Sequence, residues 1–285
     1  MSRIDASFSV CALLGFPARH SMGPAIHNAA FEQLALPLVY VAHDVGPADL
    51  PAAISGARAL GYRGLSITMP HKVAALALVD EVDELARAIG CINTVVNRDG
   101  RLCGYNSDGQ GALDALQRAG IAIDGQRVLV LGSGGAARAL AMTVALRQRP
   151  ADLTILGVVE GELSALGRDI EDKARRQVRT GHLDDASLAE AVTEANVLLH
   201  CTPVGMTPDT DRSLVPASLL RPELSVFDAV YNPRRTRLIR DAAAAGCRVV
   251  EGMEMFLGQA MVQFELWTGK PAPADTMRAV IEARL

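Results

Sequence analysis

Short apolar runs alternate with longer amphipathic stretches along the whole chain, and this alternation constrains the fold most. Residues 9–15, 39–45, 65–68, 128–132, 153–156, 197–202, 224–230 and 247–252 are short, apolar or β-branched, and bounded by Gly, Pro or Asp, the marks of strands. Helical patterns lie between or beside them, over 24–36, 49–60, 81–89, 108–119, 135–147, 163–176, 185–195 and 236–245. Pro24 suits a first helical turn, and Gly246 suits a C-terminal cap. Strand–helix alternation of this kind predicts an α/β fold with mostly parallel sheets. In such sheets ligands bind beyond the carboxyl ends of the strands.

With 285 residues the chain can form one or two domains. A net charge of −4 leaves no basic footprint for nucleic acid or a membrane surface. No apolar stretch approaches the roughly 20 residues needed to span a bilayer. The five cysteines, at 11, 91, 103, 201 and 247, form no C-x-x-C pair. Their number is odd, so neither a disulfide framework nor a structural metal is expected, and the cytoplasm is the expected compartment.

Arg127–Leu131 leads into GSGGAAR. Strand, glycine-rich turn and helix form the opening of a dinucleotide-binding βαβ unit. Gly132 makes the tight turn, while Gly134 and Gly135 let backbone N–H groups approach a pyrophosphate. The spacing is G-x-G-G-A rather than the full G-x-G-x-x-G, so this motif alone is weak. A cofactor half that starts near residue 108 leaves about a hundred residues before it, enough for a separate α/β domain.

That N-terminal block carries polar residues where strands should end. They are His20, Ser21, Gly23 and His27; Ser66, Thr68, His71 and Lys72; Asn93 and Thr94; and Asn106, Ser107 and Asp108. Singly each has an ordinary role: a solvated Lys, a turn Asn, a helix-capping Asp. Their joint position before a nucleotide-binding half points to a substrate site.

At the level of ordered motifs the chain resembles the shikimate dehydrogenases over essentially its whole length. The motifs are G-x-P-x-x-H-S at Gly15–Ser21, T-x-P-x-K at Thr68–Lys72, G-x-x-N-T at Gly90–Thr94 and G-x-N-[ST]-D-G at Gly104–Gly109. They continue with G-x-G-G-A at Gly132–Ala136, T-x-x-G-M at Thr202–Met206, D-x-x-Y-x-P at Asp228–Pro233 and G-M-x-M-x-x-x-Q at Gly252–Gln259. The resemblance implies a substrate domain over 1–107, a Rossmann cofactor domain over 108–252, and C-terminal helices over 253–285 that return to the first domain. It implies hydride exchange between a nicotinamide cofactor, NAD or NADP, and shikimate/3-dehydroshikimate or a close analogue, with no metal. Lys72 and Asp108 match the family's catalytic pair. Ser21, Gly23, Ser66, Thr68, Asn93, Tyr231 and Gln259 match its substrate-contacting positions. Gly132, Gly134, Gly135, Ala136, Gly157, Val158, Glu84, Ala229 and Gly252 match positions that face its cofactor. The expected partner is a small polyhydroxylated ring carboxylate, and a monomer and a homodimer both stay open.

Two departures bear on specificity. The family usually has S-x-S-P, whereas this chain has Ser21-Met22-Gly23-Pro24, so one carboxylate donor is gone. Ser66 stands where the family usually has Asn. Quinate or an aminated shikimate therefore join shikimate as candidate substrates, unless a water or backbone N–H replaces the lost hydroxyl. The second departure follows residues 153–156. NADP-dependent members have Asn-Arg there, and this chain has Gly157-Val158 followed by Glu160 and Glu162. Acids would repel a 2′-phosphate, so NAD is the favoured cofactor. A non-catalytic ligand-binding homologue is the alternative from another class, and the intact Lys72 and Asp108 argue against it.

Overall fold

The computed structural model describes residues 4–284. Residues 1–3 and 285, at the ends of the first and last expected domains, lie outside the described residues. The described chain divides into two compact units. One runs up to Ser107 and resumes at Gln259–Arg284; the other is Asp108–Gly258.

The first unit opens with β1 (Ser9–Gly15), α1 (Gly23–Gln33), β2 (Leu38–Asp44), α2 (Leu50–Ala59) and β3 (Gly64–Ile67). It continues through β4 (Glu81–Val82), α3 (Glu84–Ile89), β5 (Thr94–Arg98) and β6 (Arg101–Tyr105). The sheet order is β2-β1-β3-β5-β6-β4. Pro24 lies in the first turn of α1. The expectation of mostly parallel pairing needs correcting here, because β5 runs antiparallel to both β3 and β6. The cause is a two-residue hairpin: Asp99 and Gly100 have φ of +52° and +89°, the left-handed pair that matches strand twist. The Asp-Gly signal is in the sequence, but no strand was expected over 94–105. The helix expected over 81–89 is also shorter, because Asp83 accepts from Leu85 N at 3.0 Å and starts α3 there.

The second unit comprises α4 (Asp108–Arg118), β7 (Arg127–Leu131), α5 (Gly135–Arg147), β8 (Asp152–Gly157), α6 (Glu160–Asp169) and β9 (Arg179–His182). After these come α7 (Asp185–Glu194), β10 (Val197–His200), β11 (Ser225–Asp228), α8 (Arg237–Ala244), β12 (Arg248–Val250) and α9 (Gly252–Thr268). Its sheet, β12-β11-β10-β7-β8-β9, is parallel throughout. Buried on both faces, its central strands read as near-continuous apolar runs. Helices α7 and α8 cover one face through Leu188, Val192, Leu238 and Ala242. Helix α5 is buried nearly all round, as an apolar helix with no polar face must be. Helix α6 begins and ends earlier than the pattern over 163–176 implied, because the chain loosens into a π turn at Ile170–Ala174 and Arg175 turns left-handed at φ +54°. Strand β9 was not expected; its polar, half-exposed Arg-Thr-Gly-His has no alternation to reveal it. Gly246, at φ +81°, follows the end of α8 as a left-handed cap.

The division between units falls within α9, at Gly258/Gln259 rather than at Gly252. The last helix, α10 (Ala274–Glu282), belongs to the first unit. There Trp267 crosses β3 at Gly64, where a Cβ would lie 2.1 Å from the indole Nε1. The indole donates to Val95 O at 3.0 Å. Among the described residues no helix is long and apolar enough to cross a membrane.

Candidate active site

In the first unit the carboxyl ends of β1 and β3 lie side by side, with Leu14 paired to Ile67. The loops that follow are stitched together: Thr68 N donates to Leu14 O at 3.0 Å and Phe16 N to Met69 O at 3.0 Å. A Cβ on Gly15 would lie 2.3 Å from Thr68 Cγ2, so this approach requires glycine. His71 is buried and its Nε2 donates to Val45 O at 2.7 Å. Lys72 O accepts from Ile92 N at 3.0 Å. The half-buried Lys72 side chain thus leaves a turn anchored on both sides.

Asn93 is no simple turn residue. It is buried, its amide donates to Ser107 Oγ at 3.0 Å, and its oxygen accepts from Ser107 N and Thr94 Oγ1, each at 2.8 Å. Gln263, one turn after Gln259 on α9, closes this network. It donates to Thr94 Oγ1 at 3.0 Å and to Asn93 O at 3.2 Å, and accepts from Ser66 Oγ at 2.9 Å. Ser66 is therefore buried with its proton held by Gln263. Gln263 was missed. Its signal was an amide in an otherwise apolar helical stretch, at i+4 from a motif residue. Gln259 itself is half-buried.

Ser21 Oγ accepts from Gly23 N at 3.1 Å. A Cβ on Gly23 would stand 3.2 Å from Ser21 Oγ and 3.3 Å from the Tyr40 hydroxyl. Tyr40, also missed, brings its buried hydroxyl beside Gly23 and hydrogen-bonds it to Ser66. Its backbone is held in both directions by Asn28, at 2.7 and 2.9 Å. Burial pushes its phenol well above the usual range, so it stays neutral.

His20 is exposed, and His27 is a core residue rather than a ligand-facing one. The His27 ring stacks on Tyr40 at 4.7 Å and packs against Trp267 at 5.0 Å. Burial pushes it down to about 3. Unfolded chains bind its proton below about 6.5 while the folded chain does not, so stability falls as pH drops from 6.5 toward 3. Acid-side unfolding should therefore steepen by up to about 1.4 kcal/mol per pH unit from this group, and His27→Phe should remove that slope. Urea midpoints of both chains between pH 4 and 7 check it; equal slopes would show that His27 does not contribute.

In the second unit Asp108 heads α4, which lies so close to α5 that a Cβ on Gly109 would fall 2.0 Å from Thr143 Oγ1. After β7, Gly132 turns at φ +112°, and a Cβ there would meet Cys201 O at 3.0 Å. Gly134 and Gly135 open α5 with no side-chain cap and nothing within 4 Å of a Cβ. Ala136 follows in the first turn. Uncapped first-turn N–H groups with open space before them fit the pyrophosphate of a dinucleotide. After β8, Gly157 leaves room for Ser133, whose Oγ would lie 3.0 Å from a Cβ there. Ser133 Oγ donates to Glu162 Oε2 at 3.2 Å. That bond identifies Glu162 as the acid that reaches the glycine-rich turn, a register the sequence left open. Val158 and Val159 are exposed, while Arg138 and Lys173 both pair with Asp169.

At the far strands, Ala229 N donates to His200 O at 2.9 Å. A Cβ on Gly252 would come within 2.5 Å of Val230 O, so glycine is required there too. Tyr231 is exposed and stacks on Phe256 at 5.4 Å. Glu84, in the first unit, is exposed in the first turn of α3. Among the described residues no cluster of His, Cys, Asp or Glu could hold a metal ion.

Residues 13–95 match the shikimate dehydrogenase substrate binding domain, and residues 252–282 the shikimate 5'-dehydrogenase C-terminal domain. A shikimate dehydrogenase (NADP(+)) of Moorella thermoacetica is 40% identical over 99% of this chain and 95% of its own length. The chain belongs to the shikimate dehydrogenase family. The shikimate 5-dehydrogenase of Listeria monocytogenes, solved in complex with shikimate and NAD, aligns at TM-score 0.94 and 34% identity, covering 99% of each chain. A quinate dehydrogenase of Corynebacterium glutamicum in complex with NAD aligns at TM-score 0.88 and 29% identity, over 97% of this chain and 99% of that one. The chain is accordingly a shikimate dehydrogenase-type oxidoreductase with a substrate-binding domain and a Rossmann-type domain.

Proposed function

We propose that the chain interconverts shikimate and 3-dehydroshikimate, with NAD preferred over NADP. The nicotinamide, when bound, takes or supplies the hydride. Lys72 carries the hydroxyl proton: it donates to the developing alkoxide in reduction and accepts in oxidation. Asp108 is the second acid–base group and holds the substrate hydroxyl. Ser21, Thr68, Asn93, Tyr231 and Gln259 hold the ring, and short hydroxyls and amides suit a polyhydroxylated ligand because they donate and accept without net charge. Five free cysteines support a reducing compartment, the cytoplasm.

The observation that carries the cofactor preference is the Ser133–Glu162 bond at 3.2 Å beside Gly157. It supports an acid near the end of β8, where in a dinucleotide fold a carboxylate can accept from an adenosine 2′-hydroxyl and repel a 2′-phosphate. The decisive experiment is a matrix of shikimate, quinate and aminoshikimate against NAD and NADP, followed at the reduced nicotinamide band. The shikimate–NAD well is expected to give the highest kcat/KM. Turnover of quinate tenfold better than shikimate would overturn the substrate assignment, and no turnover in any well would leave a ligand-binding homologue.

Gly23→Ser is expected to bring no gain, because its Cβ would press on Ser21 Oγ and Tyr40 at 3.2 and 3.3 Å. A lower KM in Gly23→Ser would mean that the substrate carboxylate lacks a donor in the wild-type chain.

A further inference from the structure

His200 ends β10 and is buried beside Asp228, which ends β11; both are essentially without solvent contact. Every neighbour of the Asp228 carboxylate donates to it: His200 Nδ1 at 2.8 Å, Val230 N at 3.0 Å and Thr236 Oγ1 at 2.5 Å. In the tautomer that places the proton on Nδ1, facing Asp228, Nε2 is the ring's acceptor. Thr202 Oγ1 lies 2.6 Å from Nε2 and so donates to it. The same oxygen accepts from Val204 N at 3.3 Å. Thr202 is therefore committed as a donor to His200, and after Val204 N its oxygen keeps one lone pair.

Its position is informative. A Cβ on Gly132 would lie 3.3 Å from Thr202 Cγ2, so the Thr202 methyl packs against the glycine-rich turn and the hydroxyl sits on the same residue beside it. Strand β10 lies on the opposite side of β7 from β8, whose end faces the adenosine ribose. The nicotinamide half of a dinucleotide would run over β10.

We infer that His200, held by Asp228, is a positioning residue that fixes Thr202 as a hydrogen-bond acceptor for the nicotinamide half of the cofactor. The group it takes is a donor on that half, a ribose hydroxyl or the carboxamide N–H. The inference rests on dinucleotide binding by this unit.

The test is equilibrium binding of NADH, by its fluorescence, and of AMP, by calorimetry, to the full chain. Thr202→Val keeps the shape and the His200–Asp228 pair. It is expected to weaken NADH about tenfold and leave AMP unchanged, with Thr202→Ser restoring NADH binding. His200→Gln, which can still donate toward Asp228, is expected to weaken NADH by a similar factor. His200→Gln with Thr202→Val should be no worse than either alone, since both remove one contact. The cofactor KM should rise while KM for shikimate moves less than twofold. Unchanged NADH binding in Thr202→Val, or additive losses in the double variant, would overturn the inference. A wild-type chain that binds NADH in neither assay nor turnover would overturn the functional proposal as well.

Discussion

Lys72→Ala is expected to lower kcat by about 10²–10⁴, and Asp108→Asn by a similar factor, the usual range for a positioned acid–base group. Neither change should unfold the chain. The turn carrying Lys72 is held by the His71–Val45 bond of 2.7 Å and by backbone hydrogen bonding of Ile92 to Lys72 O at 3.0 Å, and truncating the side chain touches neither. Asn is isosteric with Asp, and the close packing of Gly109 on Thr143 that holds α4 against α5 is untouched by the change. Steady-state kcat beside a thermal melt separates chemistry from folding. If the two residues act as a unit, the double variant will lose little more than the worse single one. Near-normal turnover in either folded variant would remove that residue from the mechanism.

Val158→Arg combined with Glu162→Gln is expected to move the NADP-to-NAD ratio of kcat/KM toward NADP by about 10². Val158 is 65% exposed, so a guanidinium there meets no packing barrier. Two bidentate bonds to a 2′-phosphate become available, and one acid that would face it is neutralised. Arg138 and Lys173 pair with Asp169, so in the wild-type chain these neighbouring cations are engaged elsewhere. The wild-type chain itself should prefer NAD by at least tenfold. Kinetics with both cofactors at one saturating substrate concentration decides the matter: a tenfold preference for NADP would show that Glu162 does not govern the ribose.

The alternation of apolar runs was enough to establish the α/β class, because a parallel strand buried on both faces must be apolar along its whole length. The glycine-rich turn after Leu131 and the ordered motifs were equally legible, since tight turns and close backbone approaches restrict residue choice at single positions; Gly15, Gly132 and Gly252 are such positions. Strands β4, β5, β6 and β9 were not, because short or polar strands carry too few residues for a period to show. The roles of Ser66, Gln263, Tyr40 and His200 were invisible for a different reason. Each depends on a partner 12 to 197 residues distant along the chain, as with Asn28–Tyr40, His200–Asp228 and Ser66–Gln263. Sequence determined which residue types this chain could offer to a ring carboxylate and a dinucleotide. Only the tertiary structure decided that Ser66 turns inward to Gln263, that Tyr40 stands beside Gly23, and that Glu162 meets Ser133, because a hydrogen bond is made by distance and direction in space, and neither is encoded at the positions taken singly.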